Sequence, residues 1–253
     1  FSRHFYIGSI ILLLITLLIG QVTRGAVRWI PIGPLTIQPA EIVRPFLLVF
    51  FANYLTEKEI NLKRFLNAVG LLALPAFLIL VQPSLGVAVI TVVGFVGVFL
   101  ATNVQKKYFL FAILVFLALV PILWGILAPY QKGRIITFIN PSQDPYGTGY
   151  NAIQSMISVG SGKILGRGLG KGVQTQLAFL PEKHTDFIFA AVGEELGYLG
   201  AGLLLLGGFF ILSRLVYTVE NASSPAARAY VSGFFLTLLV QTFVHVGMNL
   251  GLL

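Results

Sequence analysis

Long apolar runs separated by short polar turns dominate this chain. Seven of them approach the roughly 20 residues needed to cross the ~30 Å hydrocarbon layer of a bilayer as a helix. They lie near 5–21, 38–55, 65–82, 85–102, 108–128, 187–213 and 229–253. Lipid offers the backbone no hydrogen bonds, so only helices and closed barrels span it, and the period-2 alternation of a barrel is absent. The pattern therefore predicts an all-α polytopic membrane protein with about seven transmembrane helices in one domain, residues 1–253. Gln82-Pro83-Ser84 divides the third and fourth runs, and its proline forces a tight turn there.

The connection 129–186 departs from this economy of short turns. Loops much beyond about 15 residues are usually functional or disordered. Tyr130, Ile135, Phe138, Tyr150, Ile153, Met156, Leu165 and Phe179 give this one apolar anchors, so a large folded cap is expected. Within it, residues 150–159 place Tyr150, Ile153 and Ile157 on one side, the pattern of an interfacial helix.

Composition agrees with a membrane protein: 57% of the 253 residues are hydrophobic and only 10% charged. The net charge of +8 could point to nucleic acid, but the 17 basic residues sit in loops between apolar runs. Anionic lipid headgroups or an anionic lipid-linked substrate suit that distribution better. The chain has no cysteine and three scattered histidines, which excludes disulfides and thiolate metal sites and argues against a histidine cage. Lys58, Lys63, Arg64, Lys106, Lys107, Arg214 and Arg228 fall in the loops on one face, against Arg24 and Arg28 in the short loops on the other. The positive-inside rule then puts residue 1 in the cytoplasm and 129–186 outside. Arg3 and His4 before an apolar run mimic a signal peptide, yet no small-x-small cleavage site follows, so the first run reads as a span. The start at Phe1 and the stop inside an apolar run at Leu253 read as the ends of a fragment.

Few ionisable groups lie near the apolar runs, which makes each one informative. Asp186 precedes Phe187-Ile-Phe189, where a helix enters the bilayer. Partial desolvation of a carboxylate there favours proton abstraction, and the same placement suits a helix N-cap. Glu41 and Arg44, three residues apart on the helix opened by Gln38-Pro39, form a charged pair beside Pro45, which frees the Glu41 carbonyl. Such a pair reads as a cavity wall or as a structural ion pair, and loss of Arg44 alone is expected to cost more than loss of both charges. Arg28 can bind pyrophosphate, while its neighbour Trp29 also suits an interfacial anchor. The run Gly160-Ser-Gly-Lys-Ile-Leu-Gly-Arg-Gly-Leu-Gly-Lys-Gly172 matches no nucleotide-binding spacing. It reads either as a flexible loop or as a backbone anion cradle supplied with Lys163, Arg167 and Lys171. At least one of Glu194 and Glu195, within an apolar run, should find a basic or hydrogen-bonding partner and serve the structure.

The stretch Phe179-Leu-Pro-Glu-Lys-His-Thr-Asp-Phe-Ile-Phe-Ala-Ala-Val-Gly-Glu-Glu-Leu-Gly197 resembles the signature of the SEDS (shape, elongation, division and sporulation) family, whose members include RodA and FtsW. Gly25-Ala-Val-Arg-Trp29, Gln38-Pro-Ala-Glu-Ile-Val-Arg44, Gln82-Pro-Ser-Leu-Gly86, Asp144-Pro, Gly149-Tyr150 and Gln154-Ser155 resemble further family motifs, in matching order. The resemblance implies a ten-helix fold entered at its third helix and left in its ninth. It also implies inverting glycosyl transfer on lipid II at the outer face of the bacterial cytoplasmic membrane, alongside a class B penicillin-binding protein. Asp186 falls on the family's essential aspartate and becomes the expected base. Arg28, Trp29, Gln38, Glu41 and Arg44 become candidate substrate-binding residues, as do Gln154, Ser155, Lys163, Glu182 and His184 around the large loop. The departing pyrophosphate needs positive charge, from Arg28, loop lysines or a divalent cation (magnesium or manganese); no organic cofactor is implied. Arg44 stands where the family has lysine, Ala40 where it has serine, and Ser84 where it has aspartate, which removes a carboxylate. Two other classes share these features: a lipid II flippase or other transporter, and a non-catalytic scaffold that recruits the transpeptidase.

Overall fold

The computed structural model describes residues 2–23, 26–32, 35–102, 105–127, 132–133, 136 and 149–252. In chain order the elements are α1 (Ser2–Ile19), β1 (Gln21–Thr23), β2 (Ala26–Ile32), β3 (Leu35–Ile37), α2 (Pro39–Thr56), α3 (Leu62–Val81), α4 (Leu85–Leu100) and α5 (Lys106–Ile126). After these come α6 (Tyr150–Ser161), α7 (Val173–Gln176), α8 (Ile188–Glu220) and α9 (Pro225–Leu250). Helices occupy all seven expected spans. Among the described residues α1, α3, α8 and α9 are each long and apolar enough to cross a membrane. Only 6% of the apolar window of α8 is buried by protein; its exposed Leu203, Leu206, Phe209 and Phe210 are a lipid-facing surface, not a misplaced core.

The chain is mostly helical, as expected, with one short sheet beside the helices. Strands β1, β2 and β3 pair as an antiparallel sheet in that order, with Val22 opposite Val27, Thr23 opposite Ala26, Pro31 opposite Thr36 and Ile32 opposite Leu35. The stretch Ala26-Val-Arg-Trp-Ile-Pro-Ile is β-branched and aromatic, and hairpin pairing satisfies its backbone without crossing lipid. Three-residue strands at either side are too short to register as an alternation.

The chain divides into two compact units, Phe1–Leu117 with Ser213–Val240, and Ala118–Leu212 with Gln241–Leu253. In the first unit the core is aromatic: Tyr6 meets Phe50 at 4.6 Å, Phe51 meets Phe95 at 4.9 Å and Phe65 meets Phe99 at 5.2 Å between ring centroids. Offset and edge-on rings add to simple burial. Several polar groups inside it find protein acceptors, while Gln82 Oε1 and Arg44 Nε are buried without a hydrogen-bond partner among the described residues. Ser9 and Thr16 donate to the Phe5 and Leu12 carbonyls of their own helix, and the fully buried Gln82 donates to the Leu13 carbonyl at 3.0 Å. Close approach of α4 and α9 depends on glycine: a Cβ on Gly97 would lie 2.7 Å from the Ser232 carbonyl, and one on Gly233 2.9 Å from that of Gly94. This is the small-residue contact that membrane helices use where lipid gives no hydrophobic drive for association.

The second unit has a small core of Val159, Leu180, Phe187 and Ala190, packed against Met248 and Leu250. It contains the described part of the 129–186 connection. Tyr130, Ile135, Phe138 and Asp144 lie outside the described residues. The helix expected from 150 is α6; its protein-facing stripe is Ser155, Ser158 and Val159, while Ile157 points outward.

Candidate active site

Asp186 sits on a turn, 181–187, that is pinned at several points. Leu180 and Phe187 are buried at its two ends, and the Leu180 N–H donates to the Gln174 carbonyl at 3.0 Å. The Glu182 carbonyl accepts the N–H groups of Thr185 (3.1 Å) and Phe187 (3.2 Å), with Glu182 itself at φ 55°. Lys183 Nζ donates to the Thr175 carbonyl, tying the turn to α7. The Asp186 carbonyl accepts from Asn249 Nδ2 at 3.1 Å. The Asp186 side chain is exposed and, among the described residues, its carboxylate has no hydrogen-bond or ion-pair partner. Protein packing thus holds the main chain and leaves the carboxylate available; its desolvation has to come from lipid or substrate. His184 is exposed on the same turn.

The glycine run wraps the first turns of α8. Helix α8 is broken at Gly197, where φ is 67° and ψ −164°. That break frees carbonyls, and the loop caps them: the N–H of Arg167 donates to the Glu194 carbonyl at 2.9 Å and that of Gly168 to the Glu195 carbonyl at 3.0 Å. In return Tyr198 and Leu199 N–H groups reach the Lys163 and Ile164 carbonyls. The anion-cradle alternative is thereby narrowed. Two of the donors that could face a phosphate, the Arg167 and Gly168 N–H groups, are committed to α8. The Lys163 side chain is exposed beside this loop.

Both Glu194 and Glu195 find partners, though not basic ones. Glu194 is fully buried and accepts the N–H groups of Gln174 (2.8 Å) and Thr175 (3.0 Å) at the start of α7. Glu195 accepts from Gln176 Nε2 at 3.1 Å and Thr175 Oγ1 at 3.3 Å. A carboxylate capping free backbone N–H groups needs no cation to be tolerated. The chain of contacts from Glu194 through α7 to Lys183 supports the Asp186 turn from behind.

Gln154 is half-buried and Ser155 fully buried in α6. The Ser155 hydroxyl lies 3.0 Å from the Asn249 carbonyl and 3.3 Å from its Oδ1. It meets Asn249, not the open face of the turn. Asn249 was not among the sequence candidates. Its signal was a lone amide near the end of an apolar run, which lipid tolerates only when it is bonded.

In the first unit, Arg28 and Trp29 are half-buried on β2, and the Arg28 Nε is buried with no partner among the described residues. Gln38 donates to Ser84 Oγ at 3.3 Å, so the serine in the family's aspartate position links the α2 and α4 starts. Arg44 pairs with Glu41 at 2.9 Å, and the side chains are 8% and 41% exposed respectively. The more buried partner is therefore Arg44. Glu41→Gln strands a guanidinium inside protein, whereas Arg44→Ala leaves a carboxylate that water can reach. Glu41→Gln is expected to cost about 1–3 kcal/mol, below the usual figure for a broken buried pair because Glu41 is half-exposed. Changing both residues, to Gln and Met, should cost less than Glu41→Gln alone. Thermal melts of the three variants in detergent check the order.

No group of three His, Asp or Glu side chains among the described residues is placed to hold a metal ion. No step is routed through the divalent cation raised as one source of charge.

These features define a polytopic helical membrane protein that presents, on a braced turn at a helix start, a carboxylate unpaired among the described residues. The family model for FtsW, RodA and SpoVE, described as cell cycle protein, matches residues 1–253, and the chain belongs to that family. It is 41% identical to the probable peptidoglycan glycosyltransferase FtsW of Escherichia coli O6:H1, covering all of this chain and 62% of that one. It is 35% identical to the peptidoglycan glycosyltransferase MrdB of Escherichia coli K12, covering all of this chain and 69% of that protein. The chain thus spans under two thirds of the length of that FtsW. A chain of a peptidoglycan synthase complex, solved to address the coordination of polymerization and crosslinking, superposes with TM-score 0.82 at 28% identity over 99% of this chain and 70% of the other. RodA of Thermus thermophilus shares the fold with TM-score 0.67 at 24% identity, over 99% and 66% of the respective chains.

Proposed function

We propose that the protein to which this chain belongs polymerises lipid II into glycan strands, as an inverting glycosyltransferase at the outer face of the bacterial cytoplasmic membrane. The observation that carries the reading is an Asp186 carboxylate without a partner among the described residues, on a turn tied to α7 and to Asn249. A general base must offer a free lone pair at a fixed place, and this one does. In the proposed step Asp186 takes the proton of the GlcNAc 4-hydroxyl of the acceptor. The oxygen attacks the MurNAc anomeric carbon from the face opposite its pyrophosphate. The C1–O bond breaks, its electron pair leaves with undecaprenyl pyrophosphate, and the anomeric configuration inverts.

The names of the relatives support this class of activity, since both the FtsW and the MrdB matches are called peptidoglycan glycosyltransferases. Glu182 and His184, on the turn itself, together with Gln154 and Lys163, are the proposed sugar and peptide contacts of the second unit. Arg28, whose planar fork suits phosphate, is the proposed pyrophosphate ligand, with Trp29, Gln38, Glu41 and Arg44 as further lipid II contacts of the first unit. A class B penicillin-binding protein is the proposed partner, supported by the match to a chain of a synthase complex. Polymerisation of labelled lipid II by the purified full-length protein, with and without that partner, tests the reading; absence of glycan product under both conditions refutes it.

The outer-face placement has its own test. Leu169 is 73% exposed on the glycine loop, and Leu169→Cys in the cysteine-free chain should react with a membrane-impermeant maleimide added outside intact spheroplasts. Labelling only after the membrane is opened would put Asp186 on the wrong side for extending an external glycan.

A further inference from the structure

We infer that Asn249 is a positioning residue for the reaction, holding the main chain of Asp186 where the carboxylate can reach the acceptor hydroxyl; this rests on reading Asp186 as the base. Asn249 is near the end of α9 and fully buried. Its amide uses its whole bonding capacity. Nδ2 donates to the carbonyls of Asp186 (3.1 Å) and His245 (2.8 Å), and Oδ1 accepts from the Ala190 N–H (3.1 Å) and shares the single Ser155 hydroxyl proton (3.3 Å) with the Asn249 main-chain carbonyl (3.0 Å). Two donors and two acceptors are all that a carboxamide has.

The distribution of those bonds is the argument. One goes back to α9 and one to α6. The other two go to the residues on either side of the start of α8, Asp186 and Ala190, which lie 63 and 59 residues away in sequence. A side chain serving packing alone at this site would be a leucine, with no polar atoms to satisfy in a buried place. The amide instead fixes the main-chain oxygen of the very residue that carries the carboxylate, and Ser155 in turn orients the amide. With the carboxylate itself unpartnered, the main chain is what sets its location. A shift of about 1 Å in a reacting group can cost on the order of 10²-fold in rate.

The experiment uses the full-length protein with its partner and labelled lipid II, measuring kcat and KM for Asn249→Ala in the wild-type and Asp186→Glu backgrounds. The expected result in the wild-type background is a fall in kcat of about 10- to 100-fold with KM unchanged within about twofold. In the Asp186→Glu background, where the carboxylate is already displaced, the same change should cost less than about threefold. An equal loss in both backgrounds, as a reduced folded fraction would give, overturns the inference, and so does a rise in KM at constant kcat. Should Asn249→Ala fail to fold, Ser155→Ala, which keeps the amide but loosens it, is expected to lower kcat a few-fold at constant KM; wild-type kcat there overturns the inference. Full activity of Asp186→Asn would remove the base reading itself. Inactive Asp186→Asn with a wild-type Asn249→Ala would remove only the present inference.

Discussion

Asp186→Asn is expected to lower the rate of glycan polymerisation by about 10²- to 10⁴-fold, the usual contribution of a positioned general base, with little change in folding or membrane insertion. The substitution preserves shape and every contact that the structure gives this residue, because only its main-chain carbonyl is bonded, to Asn249. Nothing structural depends on the carboxylate among the described residues, so its loss isolates chemistry from stability. KM for lipid II should stay close to the wild-type value. Single-turnover polymerisation by the purified full-length variant, alongside its melting curve, checks both halves. An asparagine variant that polymerises at a near-normal rate eliminates the assignment, and one that fails to insert would show a structural role the geometry does not contain.

Gly197→Val is expected to destabilise the second unit by more than about 3 kcal/mol. Two costs combine. The backbone lies at φ 67°, ψ −164°, a region open essentially to glycine and costing about 1–3 kcal/mol for any other residue. A Cβ there would also collide with the Gly166 N and the Ile164 carbonyl. Those are main-chain atoms of the loop that caps the kink, so no side chain can swing aside, and overpacking typically adds another 1–3 kcal/mol. Release of the loop would uncover the Glu194 and Glu195 carbonyls. The expected readouts are a lowered melting temperature, new protease cleavage between 162 and 172, and loss of activity. A variant as stable and protease-resistant as wild type would mean that the loop does not depend on the break.

The membrane spans were legible because a run long enough to cross lipid announces itself by length and apolarity alone. The Glu41–Arg44 pair was legible for a similar local reason, since residues three apart share a helix face. The direction of its vulnerability was not, because burial of Arg44 is decided by what packs over α2. Helix α7 and the strands at 21–37 were missed: elements of three or four residues carry too little pattern, and tertiary partners determine them. The glycine run was ambiguous in sequence because composition shows which N–H groups exist and not which carbonyls they meet. Glu194 shows the same limit, since its partners are backbone donors 19 and 20 residues upstream. Asn249 was overlooked as one polar letter at the end of an apolar stretch, although a buried amide in that setting has to be bonded to something.

The break in α8 also bears on how the protein responds to the bilayer around it. Without it, a 33-residue helix would run about 50 Å at the α-helical rise, far beyond one hydrocarbon thickness. With it, residues 198–220 form a rod of about 35 Å that can span unaided, and residues 188–196 become a separate shelf carrying Glu194, Glu195 and the attachment of Asp186. Hydrophobic mismatch is relieved chiefly by helix tilt. Thicker or thinner membranes will therefore reset the angle of the rod, while the shelf, laced to the glycine loop and to α9, keeps the aspartate in register with its own surroundings.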